Sequence, residues 1–391
     1  MSLRILLTCE DYLPHVGGAE VYVAKVSEEL QRLGHHTTIF TNTMDRLPDD
    51  AGAVRLPWRF SPRGLWNHMR ALWTLIGSHD VIHCTYSFRI AAICALIARM
   101  RGKPLLLTQQ GRGIVPEVHP RVHHAVLFYI CQVLSMKLAR HITATSEEIA
   151  DLSAAFVARD KITVISNGYD AQLFSPEHRL PVPPEFRSLS QGMKRLLTVR
   201  RLVPKNGIHI LVQALALVKE RDPHFHYSAI GEGRARAYIE QLVKDLHLTG
   251  HVTLLGAKPN EQTAAYVQHA DLVLFPSSAE AQSIACIEAM GMGTPVIASR
   301  VGGLIDLLGE DSAYGLLVKI YDSEASNYEA PQTLSHERLQ PLADAILDFF
   351  QNPAVFQERA DRARRKVLGA YSWKAVTQRY LAMYRKIGID C

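Results

Sequence analysis

The chain has 391 residues, 48% of them apolar and 21% charged, with a formal net charge of +5. Those proportions belong to soluble globular proteins and exclude long disorder or a fibrous repeat, and a length roughly two to four times that of a typical domain predicts two domains. Apolar runs stop short of the roughly 18 residues that a membrane span needs; Cys9, Cys84, Cys94, Cys131, Cys286 and Cys391 never take CxxC spacing, so a reduced, cytoplasmic chain without structural zinc is expected.

In chain order, strand 4–8 comes first; its apolar run is too short for a signal peptide and meets acidic Glu10-Asp11 at once. Val16-Gly17-Gly18-Ala19-Glu20 leads into a helix over about 19–33, with Val23, Val26, Leu30 and Leu33 on one face and Gly34 as its stop. Strands are predicted at 37–41, 81–84, 105–108, 141–145 and 162–166, then at 195–199, 226–231, 252–256, 272–276 and 295–299. Near-continuous apolar strands separated by helix-like segments indicate parallel sheets covered on both faces. Residues 176–193, with Pro176, Pro181, Pro183 and Pro184 before Ser188-Leu189-Ser190-Gln191-Gly192, read as a linker near the middle. The fold class is α/β, as two doubly wound domains of similar size.

The charge is uneven. Residues 51–146 hold twelve Lys/Arg against Asp80 and Glu117, a local +10, whereas residues 1–50 carry −4. Within the basic stretch, 58–76 contains Trp58, Trp66 and Trp73, and Leu65, Trp66, Met69, Leu72, Trp73 and Ile76 share one helical face with Arg70 off it. Tryptophan and arginine on an amphipathic helix suit the headgroup region of an anionic membrane; the alternative is domain core with a solvated basic rim. No recognition module points to nucleic acid.

Three motifs carry chemistry. Gly17 and Gly18 before a helix let backbone N–H groups approach an anion, the alternative being a tight turn without a ligand. Arg201 and Lys205 lie in Thr198–Gly207, just past a buried strand, where a guanidinium and an ammonium suit a departing diphosphate; a solvated basic loop is the alternative. Ser277–Met290 follows strand 272–276 and opens a helix near the N-cap Ser283, whose amide and that of Ile284 would face an anion. Glu280 precedes that helix and Glu288 lies within it, inside the apolar run Ile284–Met290, where a buried carboxylate needs a partner. A structural ion pair is the alternative.

The order Gly17-Gly18-Ala19-Glu20, Arg201…Lys205, Gly231-Glu232-Gly233, Glu280 and Glu288, Gly293-Thr294-Pro295 and Gly302-Gly303 resembles the family-4 retaining glycosyltransferases over essentially the whole chain. Asn167-Gly168-Tyr169-Asp170 and Tyr371-Ser372-Trp373 fit the same pattern. The resemblance implies two facing Rossmann-like domains of the GT-B type: 1–185 on the acceptor side, joined by a returning helix 373–391, and 190–372 for the nucleotide sugar. It implies Glu280, Arg201 and Lys205 as the catalytic set, with Gly17, Gly18, Gln110, Gly233, Ser283, Ile284 and Glu288 at the donor, Glu288 on the ribose. No metal or cofactor is implied, because the cations supply the charge. Two positions depart from the pattern beside the phosphate motif: Arg200 stands where the family usually has Gly, and Asn206 where it has Lys. Gln110 replaces a common His and cannot titrate, and Ala281-Gln282-Ser283 replaces Gly-Phe-Gly. His83 reads as a core or cleft-wall residue rather than a catalyst.

The expected activity is therefore transfer of a sugar from a nucleotide-diphosphate sugar to a hydroxyl acceptor, a glycan or a lipid-linked glycan, in the cytoplasm or peripherally on the inner membrane face. A nucleotide-sugar epimerase, which needs an acid/base set at the sugar, and a binding protein that has lost catalysis are the alternatives. An NAD oxidoreductase is disfavoured, since Gly231-Glu232-Gly233 lacks a third glycine at the required spacing.

Overall fold

The computed structural model describes residues 2–14, 17–45, 52–58, 61–85, 88–111, 122–321 and 330–389, the side chains of 122–125 excepted. The chain divides into two units, residues 1–168 with 373–391, and residues 169–372.

Unit 1 holds seven parallel strands: β1 (Arg4–Cys9), β2 (His36–Thr41), β3 (Ala53–Arg55), β4 (Val81–Thr85), β5 (Leu105–Gln109), β6 (His141–Ala144) and β7 (Ile162–Val164), in the order β3-β2-β1-β4-β5-β6-β7. Leu7 lies between Ile39 and His83 in register. From β4 to β6 every strand residue is buried, as expected of a parallel sheet covered on both faces. The unit's helices are α1 (Gly18–Arg32), α2 (Pro62–Ser78), α3 (Arg89–Met100), α4 (Val122–Leu138) and α5 (Glu147–Ala154). Ser61 caps α2, its Oγ accepting from Gly64 N at 3.0 Å, and Pro62 takes the first turn, where a missing N–H costs nothing. α2 packs on α3 and α3 on α4, as right-handed crossovers on one side of a sheet require.

The C-terminal helix, Trp373–Lys386, returns to α1 in unit 1. Its Trp373 and Tyr380 rings pack edge-on against Tyr22 of α1, and its Tyr384 hydroxyl lies 2.8 Å from His83 Nδ1.

Unit 2 has six parallel strands: β8 (Lys194–Val199), β9 (Phe225–Ile230), β10 (Val252–Gly256), β11 (Leu272–Phe275), β12 (Val296–Ser299) and β13 (Leu316–Val318), in the order β10-β9-β8-β11-β12-β13. Its helices are α6 (Pro184–Arg187), α7 (Ile208–Arg221), α8 (Arg236–Asp245), α9 (Asn260–His269), α10 (Ile284–Met292), α11 (Gly302–Leu308), α12 (His336–Gln351) and α13 (Pro353–Ala370). The strand order reverses beside β8, so the chain ends of β8 and β11 diverge and leave a crevice at the carboxyl edge.

One boundary differs from expectation. The chain leaves unit 1 between Gly168 and Tyr169, not within 176–193. That proline-rich segment is a strap on unit 2: Phe186 is buried against the Tyr266 ring, and Leu180 N donates to Gln268 Oε1 at 2.9 Å. Its prolines stiffen a surface strap whose apolar residues join the unit 2 core. Two short strands, β3 and β13, lie outside the segments predicted from sequence, each three residues long at a sheet edge.

Candidate active site

A polar cluster forms at the carboxyl edge of unit 2 where three loops lock together. The loop after β8 runs from Arg200 to Gly207 and includes a 3-10 turn, Pro204–Asn206. Lys205 O accepts from Ser278 N at 2.8 Å, which ties this loop to the one after β11. Gly207, at φ 70°, packs so closely on Pro276 O that a Cβ would collide with it. Leu202 N donates to Glu232 O and Ala235 N to Leu202 O, both at 2.9 Å, which ties in the loop after β9. Gly233, at φ 159°, backs onto the Leu202 backbone, so its role in this structure is close chain approach. Beneath the β11 loop, Gly303 N donates to Glu280 O at 2.8 Å.

Glu280 therefore stands on a braced loop. Its carboxylate pairs with Arg200, and both side chains are close to nine-tenths buried. Arg200 Nη1 donates to Ser283 Oγ at 3.0 Å and Nη2 to Asn206 Oδ1 at 3.3 Å. Ser283 is the N-cap of α10, its Oγ accepting from Cys286 N at 3.2 Å, and Ile284 is the first helical residue. Asn206, itself buried, donates from Nδ2 to Arg201 O at 2.8 Å.

The structure thus brings Glu280 and Ser283 together and places Glu288 on the same helix as the cap. The Arg201 and Lys205 side chains are both exposed. The cation beside Glu280 is Arg200, which the sequence marks only as a departure from the family pattern. Its position immediately after β8, at the carboxyl end of a central strand, was the available signal.

Burial, with the Asp170 carboxylate adding to it, pushes the Glu288 acid up to about 8. At neutral pH Glu288 is mostly a neutral acid, able to donate as well as accept. Asp170 is held by Gln172 N and Leu173 N, each at 3.1 Å from Oδ1.

In unit 1, Gly17 is the extended N-cap of α1 and Gly18 its first residue. A Cβ at Gly17 would meet the Glu20 carboxylate. Gln110 follows β5, and its Nε2 is buried with no hydrogen-bond partner among the described residues, a donor that a ligand hydroxyl would satisfy. His83 is wholly buried and held neutral, at about 3, by burial. It bonds Tyr384 OH and Thr108 Oγ1, at 2.8 and 2.7 Å, as a core residue.

The apolar face of α2 splits. Leu72 and Ile76 are buried, with His68 between α2 and Asn42, whereas Leu65, Trp66, Met69 and Trp73 are exposed. Ten of the sixteen exposed large hydrophobic side chains among the described residues lie on α2, α3 and α4, a concentration that scattered surface residues do not produce. No helix among the described residues is long and apolar enough to cross a membrane.

Residues 16–173 match the family model described as Glycosyltransferase Family 4, and residues 185–346 match the model described as Glycosyl transferases group 1. The chain is 24% identical to an MMP alpha-(1->4)-mannosyltransferase of Mycolicibacterium hassiacum over 98% of both chains. It is 29% identical to a D-inositol 3-phosphate glycosyltransferase of Corynebacterium urealyticum over 63% of this chain and 56% of that one. Among solved structures, Anabaena Alr3699/HepE in complex with UDP and glucose superposes with a TM-score of 0.78 at 19% identity, over 98% of this chain and all of the other.

Proposed function

The chain belongs to glycosyltransferase family 4, and from that premise we propose that it moves a hexose from a nucleotide-diphosphate sugar to a hydroxyl acceptor with retention at the anomeric carbon. The pairing of Glu280 with Arg200 at the capped start of α10 carries the proposal: a carboxylate and a guanidinium stand together at the carboxyl edge of a parallel sheet, beside a helix N-terminus. The bond from the anomeric carbon to the diphosphate oxygen breaks, and its electron pair leaves on the diphosphate. The acceptor oxygen bonds to the anomeric carbon from the same face, and its proton passes to the departing phosphate oxygen. Glu280 contacts the sugar, Glu288 the ribose, and Ser283 with Ile284 offers the end of α10 to the phosphates. Arg201 and Lys205 add charge at the exposed rim, so no metal is invoked. In unit 1, Gly17 and Gly18 open the α1 N-terminus to an anion, Gln110 offers its unsatisfied amide to a sugar hydroxyl, and Gly233 in unit 2 keeps the loops close.

A nucleoside-diphosphate donor is supported by the likeness to a protein solved with UDP and glucose. The test is a panel of UDP-, GDP- and ADP-sugars scored by thermal stabilisation and by transfer. A stabilising donor raises Tm by mass action and supports the proposal; no stabilisation by any of them refutes it. Release of an epimer from donor alone would favour the epimerase.

For the acceptor we propose a lipid-linked glycan at an anionic membrane surface. The exposed Trp66 and Trp73, with Leu96 and Met100 of the neighbouring helix, sit among exposed Arg63, Arg70, Arg99 and Arg101. Aromatic and basic side chains on one helical layer match a headgroup region.

A further inference from the structure

We infer that Arg200 and Asn206 are a single exchange of charge: Arg200 carries the phosphate-facing cation of the donor site, and Asn206 is neutral because it holds that cation in place. The inference rests on the donor reading above and names the residue that meets the diphosphate.

The geometry supports the exchange at each end of the guanidinium. Arg200 leaves the end of β8 and reaches the side chain at position 206, where Nη2 donates to Asn206 Oδ1 at 3.3 Å. Its other terminal nitrogen reaches the α10 cap through Ser283 Oγ at 3.0 Å. Asn206 gives one of its two amide N–H donors to Arg201 O and presents its carbonyl oxygen to Arg200. A lysine at 206 would set an ammonium against the guanidinium, two like charges a few ångströms apart in a poorly solvated place, which is strongly unfavourable. Arginine at 200 thus disfavours a cation at 206.

A guanidinium has five N–H donors. Ser283, Asn206 and Glu280 account for three, so two N–H groups of a side chain only 11% exposed have no protein acceptor among the described residues. One of them is on Nη1, which bonds the cap of a nine-residue helix whose dipole favours an anion. Each spare N–H of a permanently charged guanidinium can donate a charge-assisted hydrogen bond to a phosphate oxygen. Gly231 contributes by its lack of a side chain, since a Cβ there would collide with Arg200 O and displace the residue.

The test compares wild type with Arg200→Gly, Arg200→Gln, Asn206→Lys and the double variant Arg200→Gly/Asn206→Lys. Each is titrated with the nucleoside diphosphate of whichever donor stabilises the wild type, and with the corresponding nucleoside, with Tm recorded throughout. Arg200→Gly and Arg200→Gln are expected to weaken diphosphate binding at least tenfold and to lower kcat by roughly 100-fold, the scale of one lost transition-state donor. Nucleoside affinity should stay within about twofold, because no phosphate is present to feel the charge. Asn206→Lys alone should also lose diphosphate affinity, and the double variant should recover it to within about tenfold of wild type, since the charge has returned from the other side. Equal losses for nucleoside and diphosphate would overturn the inference, because Arg200 would then act only by holding Glu280. So would a double variant as weak as Arg200→Gly at unchanged Tm. If Arg200→Gly fails to fold, Arg200→Gln decides by the same ratio. Wild type that binds no nucleoside diphosphate would instead overturn the donor reading itself.

Discussion

Raising the pH from 5 to 9 ionises Glu288 within unit 2. Burial, with Asp170 adding to it, moves this acid from an ordinary 4.5 up to about 8. Between those values the folded chain retains a proton that the unfolded chain has released. The stability tied to Glu288 is therefore complete below pH 4.5 and is lost as the pH rises through 8. From 4.5 up to about 8, at about 1.4 kcal/mol for each step of one in pH, the loss is bounded at about 5 kcal/mol. Glu288 keeps partial solvent exposure, and screening brings the expected loss down to about 2 kcal/mol. Glu288→Gln cannot ionise, so it should match wild type near pH 5 and exceed it by that amount at pH 9, roughly 4–8 °C in Tm for a unit of this size. Asp170→Asn, which removes the repelling charge and keeps an oxygen for Gln172 N and Leu173 N, should reduce the wild-type fall. Trp58, Trp66, Trp73 and Trp373 all belong to unit 1, so their fluorescence does not report on unit 2. Calorimetry across pH 5–9 is the appropriate assay. A wild-type-minus-Gln difference that stays constant over that range refutes the buried-acid account.

Unit 1 should show the opposite pH dependence. His83 is held neutral at about 3, so its contribution is present above 6.5 and is lost as the pH falls toward 3; urea midpoints by tryptophan fluorescence should drop from pH 7 to 4.5, and His83→Gln should flatten that drop, an unchanged slope counting against it. Glu280→Ala should cut transfer by about 1,000-fold or more and cost some stability, because Arg200 loses the partner of a nearly buried pair. Transfer at the wild-type rate would remove Glu280 from the site. Arg201→Ala should lower kcat with no change in Tm, its side chain being exposed, and a wild-type kcat would exclude it. Trp66→Ser/Trp73→Ser should abolish sedimentation with phosphatidylglycerol vesicles and leave Tm unchanged; binding equal to wild type, or equal binding to neutral vesicles, would contradict the membrane proposal.

Much of the fold was legible because buried parallel strands leave an unmistakable pattern. Leu105–Gln109 and Leu272–Phe275 are buried along their whole length, and Leu105–Leu107 and Leu272–Phe275 read as apolar runs. β3 and β13 were not legible: three residues at a sheet edge carry too little pattern to separate from a loop. The 176–193 segment misled for a different reason. Proline composition marks a stiff path, and the same path serves a linker or a strap. Only the burial of Phe186 against Tyr266 distinguishes them.

The sequence by itself determined two parallel α/β halves, the cap at Ser283, the pair of glutamates eight residues apart, and the local +10 in the first half, since each depends on residue type and spacing along one stretch of chain. Tertiary structure decided the electrostatics. Arg200, Asn206, Glu280 and Ser283 come from two loops up to 83 residues apart, and they meet only because the fold packs those loops together. Likewise the proton on Glu288 follows from its burial near Asp170, 118 positions earlier in the chain. The helical face of α2 was visible as a period, but a period does not say how much of a face is covered; packing covered Leu72 and Ile76 and left Trp66 and Trp73 to solvent. Charge and burial are long-range quantities set by what the fold brings near, and that information is not local to any motif.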